Sequence, residues 1–452
     1  GKADLVEEVV RILGIDRVPS TPLGKSDDVS RPVLTPLQVR TRRAKRALAA
    51  RGLVEAVTWS FVAKGVAEAF GGGAEALAWQ YAQLLSKQYA VEVLTSTAFD
   101  YMRWDNDLKA GVEEREGISI RRFHVARGRT PYFHSLQRKM LDAFARSAGK
   151  SPDARYCWPE ALEEEFIRAQ GPNCPELDAH LAAHGDDYAA VFFLPYLYPM
   201  TLDGIRAMPH RRWALVPALH DEPPAYLKTF AHTARSAPRV LWNAEAERRL
   251  GARIWNLDGG NVVSMSVATE LVTPAREASP YVLYCGRIDV SKGCQQLLDG
   301  FAAFKAAHPQ SDLQLVLTGN DVLGIGNRRD VRYLGFVEEQ RKFELMAGAV
   351  AFVQPSPYES LSIVLLEAMA QGTPVIVNGQ CEVLVEHVNM SGSGQIYRNQ
   401  REFVDALARV SALDARKRSR QGEKARDYVL ANYSREQVTA RLQAEVEALA
   451  SA

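Results

Sequence analysis

Residues 354–377 (QPSPYESLSIVLLEAMAQGTPVIV) constrain the fold of this chain more than any other stretch. An apolar run leads into the stretch and predicts a strand. Pro355 and Pro357 end that strand, because proline cannot continue a hydrogen-bonded ladder or a helix interior. The apolar spacing over residues 363–370 predicts the buried face of a helix, and residues 374–377 predict a second strand. A strand–helix–strand order of this kind is typical of α/β proteins.

Two carboxylates belong to this unit. The pattern predicts Glu359 and Ser360 at the helix start, where carboxylates and hydroxyls suit the free N–H groups. Glu367 is then predicted two turns into the helix. Eight residues of helix rise roughly 12 Å, which is about the span between the sugar and the ribose of a nucleotide sugar. The alternative is a pair of solvated helix carboxylates, since glutamate is usually exposed.

The whole string resembles the Glu-x7-Glu signature of glycosyltransferase family 4, which comprises retaining enzymes of the GT-B fold. The resemblance includes Pro-Ser before the first glutamate and Glu-Ala-Met-Ala-x-Gly-Thr-Pro-Val at the second, and it covers about residues 71–450. It implies an α/β fold with two Rossmann-like domains facing a cleft. The acceptor-side domain would span residues 55–270, and the nucleotide-sugar-binding domain residues 271–432. The last helix, residues 433–452, would cross back onto the first domain.

Composition limits the other classes of function. A chain of 452 residues predicts two or three domains, and a formal net charge of +1 gives no overall nucleic-acid footprint. The longest apolar run, residues 189–200, is too short to span a bilayer. We expect no signal peptide at the opening GKADLVEE, and reduced thiols at the five scattered cysteines. These features predict a cytoplasmic protein, either free or peripheral to the inner membrane.

The first 73 residues resemble a different family. The strings GKADLVEEVVRILGIDRVPSTPL and RRAKRALAARGLVEAVTWSFV look like the bacterial phenylalanyl-tRNA synthetase beta subunit. We assign residues 1–54 to this fragment as a small α-rich extension. Most of that subunit is missing, so aminoacylation is not carried over, and the chain looks like a fusion, natural or engineered.

A basic cluster in this fragment leaves an alternative open. Its side chains would contact RNA phosphates or form a solvated helix face, and the second interpretation is favoured because aromatic residues are not interleaved with them. Under the first interpretation, in which the cluster contacts RNA, the protein is a non-catalytic fusion or an RNA-binding module associated with a synthetase. The cluster comprises Arg40, Arg42, Arg43, Lys45, Arg46 and Arg51.

A glycine-rich turn at residues 71–73 precedes a predicted helix and then the strand VEVLTS. Glycines let backbone N–H groups approach phosphate, so Gly73 is a candidate donor contact, although a triple glycine is equally typical of a linker. The family places an apolar strand before this turn, and VTWSFV (residues 57–62) is the candidate present. We therefore expect residues 55–62 to replace the missing first strand, because an empty position would leave unpaired backbone groups and a void.

The predicted strand at residues 213–219 is followed at once by His220, Asp221 and Glu222. Ligands bind at the C-terminal ends of parallel strands in open α/β sheets. The family resemblance implies that His220 is catalytic, lying beside the sugar and the acceptor. The alternative is a structural histidine at a strand end. Asp221 and Glu222 would orient His220 or the acceptor, or cap the next helix.

The strand at residues 281–285 leads into Gly-Arg-x4-Lys-Gly, which matches the diphosphate clamp of the family. Arg287 and Lys292 would hold a nucleoside diphosphate without metal and stabilise it as it leaves. The alternative is a pair of surface cations.

The resemblance implies further roles around the donor. Glu359 would be catalytic and hold the sugar hydroxyls, and Glu367 would hold the ribose. The full set of predicted donor-binding residues is Gly73, Arg287, Lys292, Gly319, Gly335, Phe336, Val337, Glu359, Ser360, Leu361, Ser362 and Glu367.

These features predict a retaining glycosyltransferase. It would move a sugar from a UDP- or GDP-sugar to a glycan, a lipid-linked or a small-molecule acceptor, with no cofactor and no nucleic-acid partner. We expect no Asp-x-Asp metal motif and therefore no Mg²⁺ or Mn²⁺ requirement. The sugar, the base and the acceptor are not named by the sequence.

Overall fold

The computed structural model describes residues 73–99, 103–326 and 328–451. The synthetase-like fragment, its basic cluster and the expected strand at residues 57–62 lie outside the described residues. Within the described ranges, no helix combines the length and the apolar character needed to cross a bilayer.

The first half of the described chain contains a three-stranded sheet. Its order is β1-β3-β2, with β1 parallel and β2 antiparallel to β3. Glu116 and Gly117 join β2 to β3 and both have positive φ, 53° and 75°, as the favoured two-residue hairpin turns require. The strands are β1 (Glu92–Ser96), β2 (Gly111–Arg115) and β3 (Ile118–Phe123).

A second sheet of four parallel strands has the order β4-β5-β6-β7. Strand β5 is shorter than the strand predicted at residues 213–219: it ends at Leu215, and Ala218 (φ 54°) lies in the left-handed region. The strands are β4 (Val191–Phe193), β5 (Trp213–Leu215), β6 (Arg239–Trp242) and β7 (Asn261–Val262).

Seven helices accompany these sheets in the described residues. Helix α1 contacts both sheets: Trp79 packs with Ile118 and Ile120 of β3, whereas Tyr81 packs in a cluster that includes Ala214 of β5. The helices are α1 (Gly73–Leu85), α2 (Phe133–Arg146), α3 (Glu160–Gln170), α4 (Pro175–His184), α5 (Pro199–Ala207), α6 (Lys228–Ser236) and α7 (Glu245–Trp255).

The second half contains one six-stranded parallel sheet of order β10-β9-β8-β11-β12-β13. Strands β8 and β11 are buried along their whole length, as expected for parallel strands covered on both faces. The strands are β8 (Tyr281–Cys285), β9 (Gln314–Thr318), β10 (Val331–Tyr333), β11 (Ala351–Gln354), β12 (Val375–Asn378) and β13 (Gln395–Tyr397). The helices are α8 (Cys294–Ala307), α9 (Glu339–Gly348), α10 (Ile363–Ala370), α11 (Glu382–Ser391), α12 (Gln400–Ser411), α13 (Ala415–Tyr433) and α14 (Arg435–Ala450).

The predicted start of α10 is wrong. The helix begins at Ile363, so Glu359 and Ser360 lie in the preceding loop. Ser362 has φ 64°, in the left-handed region, and a right-handed helix cannot continue backwards through it. Its hydroxyl accepts a hydrogen bond from Gln354 Nε2 at 2.8 Å, which ties the loop to the end of β11. The interval between the two glutamates is therefore not eight residues of helix.

Helix α14 packs on the first half of the described chain. Leu442 and Val446 share a core cluster with residues of α1, β5 and β6, and with Val263 directly after β7. Polar contacts support this packing, because Arg441 donates to the Val262 carbonyl at 3.2 Å and Asn261 donates to Glu445 at 2.5 Å. The last helix thus joins the two halves.

The packing of α14 gives a stability prediction. Leu442 is fully buried, so Leu442→Ala should lower the free energy of unfolding by about 2–5 kcal/mol, through lost burial and the cavity left behind. Leu430 on α13 is 36% exposed, and Leu430→Ala should cost about 1 kcal/mol or less. Urea unfolding of both variants measures the difference. Equal losses would contradict this assignment of the core.

Candidate functional site

The candidate site lies where the second-half sheet reverses its strand order. The chain runs from β8 outward to β10, then returns to the other side of β8 at β11, where Ala351 pairs with Val282. The loops that leave the C-terminal ends of β8 and β11 therefore run in opposite directions. In open α/β sheets this switch point is where ligands bind.

Glycines let the loops of this edge approach closely. A Cβ on Gly319 would lie 2.0 Å from the Gly286 carbonyl oxygen, and a Cβ on Gly293 would lie 2.3 Å from that of Pro355. The Gly319 amide also donates to the Gly335 carbonyl at 2.9 Å. The loops after β8, β9, β10 and β11 are thereby held together at one edge.

Two of the predicted site residues are in direct contact at the switch point. Lys292 Nζ lies 2.7 Å from Glu359 Oε1, and the two side chains are 29% and 15% exposed. They come from the loops after β8 and β11, 67 positions apart in the chain. The structure thus brings a predicted phosphate ligand and a predicted sugar ligand together.

Arg287 lies in the same loop as Lys292. It forms an ion pair with Asp289 and donates to Ser291 Oγ at 3.1 Å. Asp289 also accepts the Lys292 backbone amide at 2.9 Å and the Ser291 hydroxyl at 2.7 Å. Sequence analysis missed Asp289, which shapes the loop that carries both cations. The feature of the sequence that could have pointed to Asp289 is its position inside the Gly-Arg-x4-Lys-Gly string.

Glu367 forms a buried ion pair that the sequence analysis did not predict. Both of its carboxylate oxygens lie 2.9 Å from Lys342 Nζ. Lys342 is fully buried on α9 and Glu367 is 6% exposed. Burial raises the pKa of Glu367, and the Lys342 ammonium acts in the opposite direction. The feature of the sequence that could have pointed to this pair is the position of Lys342 beside Phe343, among apolar residues of its helix.

The loop after β5 carries the candidate residues of the first half. His220 is half-buried, and its carbonyl accepts the Glu222 amide at 2.9 Å. Asp221 accepts the Tyr226 hydroxyl at 2.7 Å, and Glu222 accepts the Tyr196 hydroxyl at 2.9 Å. Both carboxylates thus help to fix the loop that presents His220.

Arg253 connects this loop to the second half. Its guanidinium lies 3.2 Å from Asp221 and 3.4 Å from Glu382 at the start of α11. The neighbouring Cys381 has its Sγ 3.9 Å from the Glu359 carbonyl oxygen. Through this chain of contacts the loop after β5 and the loop after β11 lie at the same mouth between the two halves.

Glu247, which the sequence analysis did not predict, binds the backbone of the loop that carries His220. It is 1% exposed, and its two oxygens accept the backbone amides of Leu219 and Asn243, each at 2.5 Å. It therefore joins the loops after β5 and β6. Burial raises the pKa of Glu247 to about 8, against the opposing effect of the backbone donors.

The other predicted residues occupy different environments. Phe336 is 61% exposed, and Gly335 before it has φ 69°. Leu361 belongs to the hydrophobic core of the second half, and its carbonyl accepts from His387 Nε2 at 2.8 Å. Gly73 is the first residue of α1 in the first half. The remaining predicted residues are half-buried Val337, loop residue Ser360 and buried Ser362.

The expectation that no Asp-x-Asp string is present was wrong, because residues 105–107 in the first half carry one. Both aspartates are exposed, and Asp105 pairs with Arg103 at 3.0 Å. Among the residues that the structure describes, no three His, Cys, Asp or Glu side chains are grouped so that they could hold a metal ion.

Comparison with known proteins bears on the second half and on the fold. Residues 271–428 match the family model described as "Glycosyl transferases group 1". Sucrose-phosphate synthase from Thermosynechococcus elongatus is 18% identical with a TM-score of 0.58, covering 84% of this chain and 95% of that chain. The UDP-forming α,α-trehalose-phosphate synthase from Burkholderia vietnamiensis is 11% identical with a TM-score of 0.57, covering 80% and 100%.

A third similar structure is the Anabaena protein HepE in complex with UDP and glucose. It is 16% identical with a TM-score of 0.56, and covers 84% of this chain and 96% of that chain. These likenesses confirm the GT-B fold. The assignment to family 4 and the retaining mechanism stay predictions.

The first part of the chain has different relatives. Over 73 residues it is 67% identical to the phenylalanine–tRNA ligase beta subunit of Bradyrhizobium diazoefficiens, and over 78 residues it is 68% identical to that of Rhodopseudomonas palustris. These matches cover 16% and 17% of this chain, but only 9% and 10% of the relatives. The chain spans about a tenth of the length of these curated relatives, and the predicted resemblance is confirmed.

The buried ion pair gives a prediction from a double-mutant cycle. Lys342→Met should lower the free energy of unfolding by about 3–5 kcal/mol, because it leaves the Glu367 carboxylate buried without its partner. Adding Glu367→Leu should restore most of the loss, since two apolar side chains need no counter-charge. Lys417, which is 72% exposed in its pair with Asp414, is the control, and Lys417→Met should cost about 0.5 kcal/mol or less. A double variant no more stable than the single one would contradict this account.

Glu247 gives a pH prediction. Its folded pKa of about 8 exceeds the usual 4.5, so its contribution to stability is complete below pH 4.5 and is lost as pH rises through 8. Glu247→Gln cannot ionise, so its stability relative to wild type should improve between pH 5 and 8, by up to about 1.4 kcal/mol per pH unit. Urea unfolding at several pH values measures this slope. Glu436→Gln, at an exposed position on α14, is the control, and parallel curves for wild type and Glu247→Gln would refute the prediction.

Proposed function

We propose that this protein is a retaining glycosyltransferase that uses a nucleoside diphosphate sugar as donor. The observation that carries the proposal is the contact of Lys292 with Glu359 at the switch point of the second-half sheet. The contact lies inside the segment that matches the glycosyltransferase family model, residues 271–428. A cation for phosphate and a carboxylate for sugar hydroxyls are thus neighbours in the crevice where an α/β sheet binds its ligand.

The donor diphosphate would bind Arg287 and Lys292. Each of these cations is paired with a carboxylate, Asp289 or Glu359, so the diphosphate would replace those partners. Arginine and lysine bind phosphate oxygens through strong charge-assisted hydrogen bonds. Once Lys292 turns to the phosphate, Glu359 is released to accept hydrogen bonds from the sugar hydroxyls. Binding of the donor diphosphate would therefore free Glu359 to bind the sugar of the same donor.

Glu367 would accept a hydrogen bond from the ribose while it stays paired with Lys342. A carboxylate offers about four lone-pair sites, and the ammonium uses one on each oxygen. The buried ammonium would keep Glu367 in one orientation. Phe336, which is largely exposed beside Gly335, would lie against the base.

The reaction would proceed on one face of the sugar. The bond from the anomeric carbon to the diphosphate oxygen breaks, and the bond to the acceptor oxygen forms on the same face. The acceptor proton passes to the leaving diphosphate oxygen, and Arg287 and Lys292 stabilise the charge that develops there. His220 would contact the sugar and help to place the acceptor. We propose that the two cations replace a metal ion in this step.

Nucleotide binding tests the proposal. UDP, GDP, ADP and their common sugars are screened by thermal shift with and without EDTA. One nucleotide at about 100 times its dissociation constant should stabilise the wild type by about 2.7 kcal/mol, a rise of several degrees in Tm. Arg287→Ala should remove most of this rise, because one of the two phosphate ligands is lost.

Arg409→Ala is the matched control for this experiment. Arg409 is exposed on α12 and donates to Gln395 at 2.9 Å, at the start of β13 and hence at the opposite edge of the sheet. This variant should keep the full nucleotide shift. Absence of a shift with every nucleotide, loss of the shift in EDTA, or an unchanged shift in Arg287→Ala would overturn the proposed donor site.

A further inference from the structure

The loop between β11 and α10 carries Glu359 and is held by side chains of the elements that follow it. Asn378 at the end of β12 donates to the Pro355 carbonyl at 2.9 Å. His387 of α11 contacts the Leu361 carbonyl through Nε2 at 2.8 Å. Because Leu361 is only two residues after Glu359, the contact with His387 restrains the backbone next to the predicted sugar ligand.

His387 is fully buried among aromatic rings. Its ring centroid lies 6.0 Å from that of Tyr428 and 5.6 Å from that of Tyr433, both on α13. Burial lowers the pKa of His387 to about 4, against the opposing effect of the Leu361 carbonyl. The imidazole is therefore neutral at pH 7, with one nitrogen that donates a hydrogen bond and one that accepts.

The hydrogen-bond partners determine which nitrogen carries the proton. A carbonyl oxygen can only accept, so His387 Nε2 donates to Leu361 and His387 Nδ1 is left to accept. Nδ1 lies 3.0 Å from the Tyr428 hydroxyl, which therefore donates to it. The Tyr428 oxygen lies 3.0 Å from the Tyr433 hydroxyl and in turn accepts from it. These contacts form one directed chain of hydrogen bonds that ends on the Leu361 carbonyl.

The other end of this chain of hydrogen bonds lies where the two halves are connected. Tyr433 is the last residue of α13, and α14, which packs on the first half, begins at Arg435. The Tyr433 carbonyl accepts the Val267 amide at 3.0 Å. Val267 lies in the segment that leads from β7 of the first half to β8 of the second. The Glu359 loop is therefore tied to the backbone at the junction of the two halves.

We propose that His387 positions Glu359 by holding the Leu361 carbonyl. It does so as the neutral tautomer with its proton on Nε2, which the two tyrosine hydroxyls select. This inference rests on the proposed function, in which Glu359 binds the sugar of the donor. His387 is fully buried, so its effect on the sugar passes through the backbone of the loop. The phosphate ligands lie on the loop after β8, so the sugar contact should depend on His387 more than the diphosphate contact does.

Binding of nucleotides with and without their sugar tests this role. His387→Leu keeps a side chain of similar size but leaves the Leu361 carbonyl without its donor. The probes are UDP with UDP-glucose and GDP with GDP-mannose, titrated calorimetrically into the full chain. For the pair that binds the wild type, His387→Leu should weaken the nucleotide sugar about tenfold more than the nucleoside diphosphate. His387→Gln, whose amide still donates to the carbonyl, should restore most of this difference.

Ser393→Ala serves as the comparison for a purely structural loss. The Ser393 hydroxyl is buried and donates to the Gln421 carbonyl of α13 at 2.7 Å, so it also binds the α11 region to α13. Its removal should lower the Tm but leave the ratio of the two affinities unchanged. The proposal is wrong if His387→Leu keeps the wild-type ratio, or if Ser393→Ala alters the ratio as much as His387→Leu does.

Two measurements without nucleotide test the same assignment. In protein labelled with ¹⁵N-histidine, the imidazole signals that disappear in His387→Gln should show a protonated Nε2 and an unprotonated Nδ1 at pH 7. The amides of Leu365 and Leu366, which donate to the Ser362 carbonyl, should exchange faster in His387→Leu than in Ser393→Ala.

The outcomes of these two measurements separate the role of His387 from the donor site. A proton on Nδ1 in place of Nε2, or equal exchange in the two variants, would overturn the role of His387 whether or not a nucleotide binds. If both results are as expected and none of the probes binds the wild type, His387 still holds the loop and the proposed function alone is contradicted.

Discussion

The parallel pairing of β8 with β11 is the constraint on which the candidate site depends. The two strands are neighbours in the sheet although about 65 residues separate them in the chain, and the loops beyond their C-terminal ends therefore meet. Lys292 and Glu359 reach each other because of this pairing. The close approach of Gly293 to Pro355 holds the same two loops together and leaves no room for a Cβ. The backbone thus fixes the loops before any ligand is bound.

A second constraint acts on the first half of the described chain. Helix α1 contacts both of its sheets: Trp79 packs with Ile118 and Ile120 of β3, whereas Tyr81 packs in a cluster that includes Ala214 of β5. The packing of this one helix therefore helps to fix how the two sheets are arranged.

Buried ionisable groups set the orientation of the residues around the mouth. The Lys342 ammonium holds Glu367 from one side, and Glu247 holds the loop that carries His220 through two backbone amides. Such groups contribute little net stability, because desolvation offsets their attraction. Their contribution is to position the loops. An arrangement that removes a partner leaves a buried polar group uncompensated, so each loop is held in the one arrangement that keeps the partners together.

The amino-acid sequence was enough to predict the α/β class, the strand–helix–strand unit around residues 354–377, the strand before Arg287, and the residue types of the candidate site. Buried parallel strands are continuous apolar runs, and the motif strings have local signatures, so both can be predicted without distant contacts. The pairing of Lys292 with Glu359, the burial of Lys342 and the support by Glu247 were decided only by tertiary structure. Each joins residues whose meeting depends on strand order or helix packing. The start of α10 also differed from the prediction, because Ser362 adopts a left-handed conformation held by Gln354, a contact that the helical pattern does not contain.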